Sequence, residues 1–215
     1  MVTANSSFAG QLEQRLKGKL PGIEAQYRMA HAVRQRVVEA PENAMLASVL
    51  ALFYPKDEAW HLVLIERTSS NPNDRHSGQI SFPGGKKDLE DSSLAHTALR
   101  EAEEEVGVLQ DQIHLLGRLT ELYIPVSNFI VHPFVGITYQ QPFFRHQESE
   151  VSAILEVPFR LFMEPGIRQA ADIRVQNGML LKDVPIFKVQ GKVVWGATAM
   201  ILSELLEVSG RLVAS

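Results

Sequence analysis

LAHTALREAEEEVGV, residues 94–108, decides the fold, because it reads as a helix with two unlike faces. Leu94, Ala95, Ala98, Leu99, Ala102 and Val106 recur at three- and four-residue steps. That spacing gathers them mostly on one side of a helix and asks for a sheet beneath it. Asp91 and the serines at 92 and 93 can cap the first turn, and Gly107 can close the last one in the left-handed conformation. A helix is expected from about Ser93 to Val106. Glu101, Glu104 and Glu105 stand at i, i+3 and i+4, so their carboxylates share a narrow sector, while Glu103 points away toward water. Three like charges in one sector repel, and a divalent cation would offset that repulsion. Carboxylate oxygens are the hard ligands that Mg²⁺ or Mn²⁺ prefers. Arg100 can pair with Glu104 across one turn and hold its rotamer. A solvated, Glu-rich helix is the competing interpretation, and the helix by itself does not choose between them.

Outward from this helix the chain alternates between strand and helix patterns. MLASVLALFYP (45–55) and HLVLIER (61–67) are β-rich runs whose nearly continuous apolarity predicts strands covered on both faces. QISF (79–82) leads to a turn at Pro83-Gly84-Gly85. Beyond Gly107, strands are expected in residues 113–124, 129–139 and 151–158, around DIRV (172–175) and around PIFKV (185–189). A helical turn is expected at 159–163. A final helix from Ala197 to Glu207 would present Met200, Ile201, Leu205 and Leu206 as an apolar stripe. Before residue 45, helices are expected over 7–18 and 23–38, split at Leu20-Pro21-Gly22. Phe8, Leu12 and Leu16 recur every four residues, so the first helix should lie on the core or on a second subunit. The fold class is therefore α/β (α+β), a mixed β-sheet sandwiched between helices. Its expected division is a helical extension over residues 1–44 and a main domain over 45–215.

Composition narrows the function. The chain has 215 residues, 45% of them hydrophobic and 21% charged, which suits a globular domain with an appendage. A net charge of −4 argues against a nucleic-acid binder that neutralises phosphates with a basic face. The absence of cysteine excludes thiolate metal sites, cysteine nucleophiles and disulfides, and fits a reducing cytoplasm. Neither a signal-peptide core nor a run of membrane-spanning length is visible, so a soluble protein without a membrane partner is expected.

Gly85, Arg100-Glu101, Glu104-Glu105 and Gly107-Val108 together resemble the Nudix box, a glycine loop followed by a helix bearing Arg-Glu, two residues, Glu-Glu, one residue and Gly. The loop here is one residue longer than the family pattern, and Asp91 stands where the pattern has Glu. The resemblance implies a Nudix-type fold and a pyrophosphohydrolase that uses Mg²⁺ or Mn²⁺ held by Glu101, Glu104 and Glu105. Arg100 would support the helix carboxylates, and Glu104 or a loop carboxylate would accept a proton from water. Glu150, just before a strand, is the preferred loop carboxylate.

LVLIERTSSNPNDRHSGQISFPGGKKD, residues 62–88, is similar to the signature of the coenzyme A-hydrolysing branch of that family, through Arg67, Arg75, His76, Gly78, Gln79 and Phe82-Pro83-Gly84-Gly85. The longer Nudix loop is shared with that branch, whereas the stretch between Arg67 and His76 carries extra Ser, Asn and Pro residues. YIPVSNFIVHPFVG (123–136) is similar to it as well. The resemblance implies a nucleotide diphosphate substrate, coenzyme A or an acyl derivative, cleaved to 3′,5′-ADP and 4′-phosphopantetheine. Arg67, Arg75, His76, Gly84, Gly85, Asn128 and Phe129 would line its site. Guanidinium groups suit such a ligand because they grip phosphate oxygens in pairs. Two alternatives stand beside this one: another Nudix substrate (ADP-ribose, dinucleoside polyphosphates or nucleoside triphosphates), and a Nudix-fold binding module without catalysis. A homodimer is compatible with the apolar face of the first helix.

Overall fold

Strand β1, Met45–Lys56, shows why its sequence is apolar at nearly every step. Leu50, Leu52 and Tyr54 enter one core cluster, while Ala47, Ala51 and Phe53 enter another on the opposite face. Strand β2, Ala59–Arg67, does the same, sending Leu62 and Leu64 one way and Val63 and Ile65 the other. A strand covered on both sides loses the apolar–polar alternation of a half-exposed one. The structure is a computed structural model and describes residues 2–34, 38–68, 78–175 and 178–213.

Strands β3 (Ile80–Ser81) and β4 (Gly84–Lys86) precede the helix α3 (Leu94–Val106), and β5 (His114–Arg118), β6 (Leu122–Ile124), β7 (Phe129–Ile137) and β8 (Val151–Pro158) follow it. These strands form one eight-stranded sheet with the order β3-β2-β1-β7-β5, in which β4 pairs with β1, β6 with β7 and β8 with β2. β1 and β7 run parallel, from Met45 opposite Phe129 to Phe53 opposite Ile137, and every other pairing is antiparallel. Three further strands, β9 (Arg168–Arg174), β10 (Leu180–Val189) and β11 (Lys192–Val194), make a small antiparallel sheet.

Helix α3 covers one face of the large sheet through Ala98, Ala102 and Val106. The other face is covered by the N-terminal helix α1 (Val2–Lys17) and the late helix α4 (Gly196–Ser209). Phe8, Leu12 and Leu16 of α1 are buried there, with Phe8 stacked on Trp60 at 4.8 Å between ring centroids. The fold is thus a mixed sheet between helical layers. No helix among the described residues is long and apolar enough to cross a membrane.

Three details differ from the sequence expectation. The second helix, α2, spans only Ile23–Tyr27 rather than 23–38. The amides of Met29 and Ala30 turn back onto Gln26 and Tyr27, which tucks both side chains into the core and stops the helix. Gly84-Gly85 is not only a turn but part of β4, held against Val49 and Ser48. Finally, α4 is no one-sided stripe: Ala199, Met200, Ile201, Leu202, Ser203, Glu204, Leu205 and Leu206 are all buried.

Candidate active site

The carboxylates of α3 meet the sheet at the two glycines of β4. Ser93 caps the helix, accepting the His96 N–H at 3.1 Å, and Gly107 closes it with φ 75° in the left-handed region. Between these ends, Ala98 and Ala102 let the helix lie close to the sheet. Gly85 has no room for a side chain, since a Cβ there would stand 2.5 Å from the Glu101 carboxylate. Gly84 has φ 152°, a backbone that resists side chains, and a Cβ there would come within 2.6 Å of the Val49 Cα.

Glu105 is the deepest of the three carboxylates, with its side chain 1% exposed. Its Oε2 accepts the Gly84 N–H at 2.7 Å and its Oε1 accepts Arg67 Nη1 at 3.2 Å. Burial nevertheless pushes its pKa up to about 7, against the opposing pull of Arg67 and the Gly84 amide, and the charges of Glu101 and Glu150 add to the rise. Glu101, wedged behind Gly85, is raised in the same way, first by burial and then by the nearby Glu104 and Glu150. Glu104 is half-exposed at the rim, where its Oε2 accepts Arg100 Nη1 at 3.0 Å. Glu103 lies to the side and accepts the Gln110 amide at 2.8 Å.

Arg100 does more than pair with Glu104. Its Nε and Nη2 donate to the two oxygens of Asp91, each at 3.0 Å, and its Nη2 also reaches Glu101 Oε1 at 3.0 Å. Asp91 is buried and further receives the Asp88 N–H and the Thr97 hydroxyl, each at 2.9 Å. The Arg100 guanidinium, with these two donors, holds the Asp91 carboxyl well below the usual carboxylate range. Asp91 therefore anchors the arginine rather than capping the helix, a role that residue spacing left open. The signal was present in the sequence: an acidic residue in the loop, nine positions before Arg100.

Of the other expected site residues, Glu150 is exposed at the start of β8, with its carbonyl fixed by the Thr68 N–H at 2.8 Å, and its charge reaches both Glu101 and Glu105. Asn128 (φ 55°) serves the turn into β7, accepting the Tyr123 hydroxyl at 3.0 Å and donating to the Asn43 carbonyl at 3.2 Å. Phe129 is partly buried against the core. Arg75 and His76 lie outside the described residues. Arg67 and Gly78, on either side of that stretch, are joined by a hydrogen bond of 2.7 Å from the Gly78 N–H, and Arg67 contacts Glu105. His132, among strand residues, lies 3.5 Å from Glu121.

Among the described residues no group of three or more His, Asp or Glu side chains is placed to hold a metal ion, so Glu101, Glu104 and Glu105 do not converge on one point. What α3 offers is an open, all-oxygen set. Glu101 and Glu105 are both pushed toward protonation by burial and by neighbouring negative charge, the imbalance a divalent cation would relieve. Mg²⁺ fits such a surface, because it keeps several waters and takes few protein carboxylates.

Residues 45–172 match the NUDIX domain family. The chain is 37% identical over 133 residues to NudL, an uncharacterized Nudix hydrolase of Yersinia enterocolitica, across 62% of this chain and 67% of that protein. It is 35% identical over 133 residues to the NudL of Yersinia pestis, across 62% of this chain and 65% of that one. The matched stretch thus spans about two thirds of these relatives. Among solved structures, RenU, a Nudix hydrolase from M. smegmatis, superposes with a TM-score of 0.53 at 16% identity, covering 77% of this chain and 85% of that one.

Proposed function

The chain belongs to the Nudix hydrolase family, and from that premise we propose that it hydrolyses the diphosphate linkage of a nucleotide derivative, with coenzyme A or an acyl-coenzyme A as substrate. The observation that supports the reaction is the buried Glu105, held by the Gly84 amide, with Glu101 packed against Gly85 beside it. A structural carboxylate has no need of such crowding. Glu101, Glu104 and Glu105 are the residues that would hold Mg²⁺ or Mn²⁺. The cation, when bound, supplies charge neutralisation for the diphosphate and acidifies water.

Arg100 keeps Glu101 and Glu104 aligned and is itself fixed by Asp91. Glu150, exposed, or Glu104, paired with Arg100 at the rim, would accept a proton from the attacking water. Gly84 and Gly85 keep the floor low enough for a phosphate to approach the carboxylates. Asn128 and Phe129 form a turn at the end of the sheet where β1 begins, and are proposed to meet the nucleoside end of the substrate.

The substrate class rests on the resemblance of residues 62–88. Arg75 and His76 are proposed as phosphate contacts on that resemblance. Incubation with coenzyme A, ADP-ribose and nucleoside triphosphates, with and without Mg²⁺, followed by product analysis, tests the reading. The expected products are 3′,5′-ADP and 4′-phosphopantetheine. Brisk turnover of ADP-ribose with none of coenzyme A would overturn the substrate and leave the chemistry.

A further inference from the structure

On the reading that α3 holds a divalent cation, we infer that Arg67 is a positioning residue for the ligand Glu105 and not a contact to the substrate. Arg67 ends β2, and its Nη1 donates to Glu105 Oε1 at 3.2 Å and to the Gly84 carbonyl at 3.4 Å. The Gly84 N–H takes the other carboxylate oxygen at 2.7 Å. Among the described residues each oxygen of Glu105 thus has one donor. Glu105 is too deeply buried to take up another rotamer in water.

The root of the guanidinium is equally fixed. The Arg67 N–H donates to the Gln79 carbonyl at 2.9 Å, its carbonyl accepts the Gly78 N–H at 2.7 Å, and Thr68 is tied to Glu150. Arg100 cannot replace it, because that side chain is already committed to Asp91, Glu101 and Glu104. Carboxylates that ligate metals depend on such outer partners for their orientation, and removing one typically costs about 10–100-fold in metal affinity or activity.

The test is Mn²⁺ binding to the full-length, substrate-free protein, read from the electron paramagnetic resonance of free Mn²⁺. Arg67→Ala should weaken the Mn²⁺ Kd by about 10–100-fold. Arg67→Lys should fall between, since a point ammonium cannot span Glu105 and the Gly84 carbonyl as a planar fork does. At saturating Mn²⁺, the KM for coenzyme A should stay within about twofold of wild type. Wild-type Mn²⁺ affinity in either variant, or a KM raised about tenfold at saturating Mn²⁺, would overturn the role and turn Arg67 toward the substrate. If Arg67→Ala does not fold, Arg67→Lys decides alone. Glu104→Gln, which leaves the Arg67 contacts intact, tests the cation reading separately. Should the wild-type protein bind no Mn²⁺, that reading falls and takes this role with it.

Discussion

Two helices of this protein each bury a glutamate, and the surroundings of the two carboxylates differ. Glu204 of α4 is fully buried, yet it accepts the Gly22 N–H at 3.1 Å, the Gln26 amide at 2.8 Å, the Thr120 N–H at 3.2 Å and the Thr120 hydroxyl at 2.7 Å. Among the described residues, Glu105 of α3 has one amide and one guanidinium, and it shares its neighbourhood with Glu101 and Glu150. Donors surround the first, whereas like charges crowd the second. A buried carboxylate wrapped in neutral donors ties chain segments together. One left in a negative field stores an electrostatic debt that a bound cation can settle.

The largest expected effect breaks this contrast at the active end. Glu104→Gln removes a charged ligand while keeping its shape, and kcat should fall by roughly 10²–10³ or more with melting temperature almost unchanged, given the several kcal/mol a cation supplies. A variant that keeps more than about a tenth of wild-type turnover at saturating Mg²⁺ would remove α3 from the chemistry. Next comes the opposite lesion. Glu204→Leu strips the acceptor from four donors on two separate segments, and unsatisfied buried groups cost about 1–3 kcal/mol each. Stability should drop by about 3 kcal/mol or more, measured by urea unfolding, while kcat of the molecules that remain folded stays close to wild type. A selective loss of kcat without loss of stability would mean that the two helices are not divided in this way.

pH sharpens the comparison, with a smaller effect. In the metal-free protein the folded-state pKa of Glu105 lies above its ordinary value of 4.5, at about 7. The folded state then holds a proton that the unfolded chain releases, so its contribution to stability is present below pH 4.5 and is lost as pH rises through 7. Asp91 has the reverse sign: its depressed pKa adds stability above its ordinary value of 3.8, lost as pH falls toward the folded-state value. Unfolding of the metal-free protein across pH 4.5–7 should therefore show a falling limb that Glu105→Gln flattens. An unchanged limb in that variant would assign the slope to another group.

How much of this was legible in the chain depends on range. The helix from Leu94 to Val106 and its Gly107 cap follow from local periodicity, and the structure has them as that periodicity requires. β1 and β2 were legible because unbroken apolarity has few other causes. Glu204 was not. It sits in SELLE, which reads as an ordinary helical charge, and its partners at 22, 26 and 120 are brought to it only by the fold. Arg67 is expected as a phosphate contact from the resemblance of residues 62–88; nothing local reveals that Glu105 lies beside it. The end of α2 at Tyr27 was hidden for the same reason, since burial of Met29 and Ala30 is a tertiary demand that overrides helix propensity.

The smallest effect lies at the helix starts. α3 begins with a side-chain cap, Ser93 accepting the His96 N–H, whereas α4 begins at Trp195 with none and relies on burial. Ser93→Ala should therefore cost about 1 kcal/mol and lower the melting temperature by about 2–4 °C. Activity should change by less than about twofold, because the Arg100 clamp hangs from Asp91 and Thr97, and both keep their partners in this variant. Differential scanning fluorimetry beside a kcat measurement checks both halves. A tenfold loss of kcat with the small thermal shift would mean that the first turn of α3 sets the carboxylate geometry. The division would then run within α3 itself, between a cap that positions and a middle that binds, as well as between the two helices.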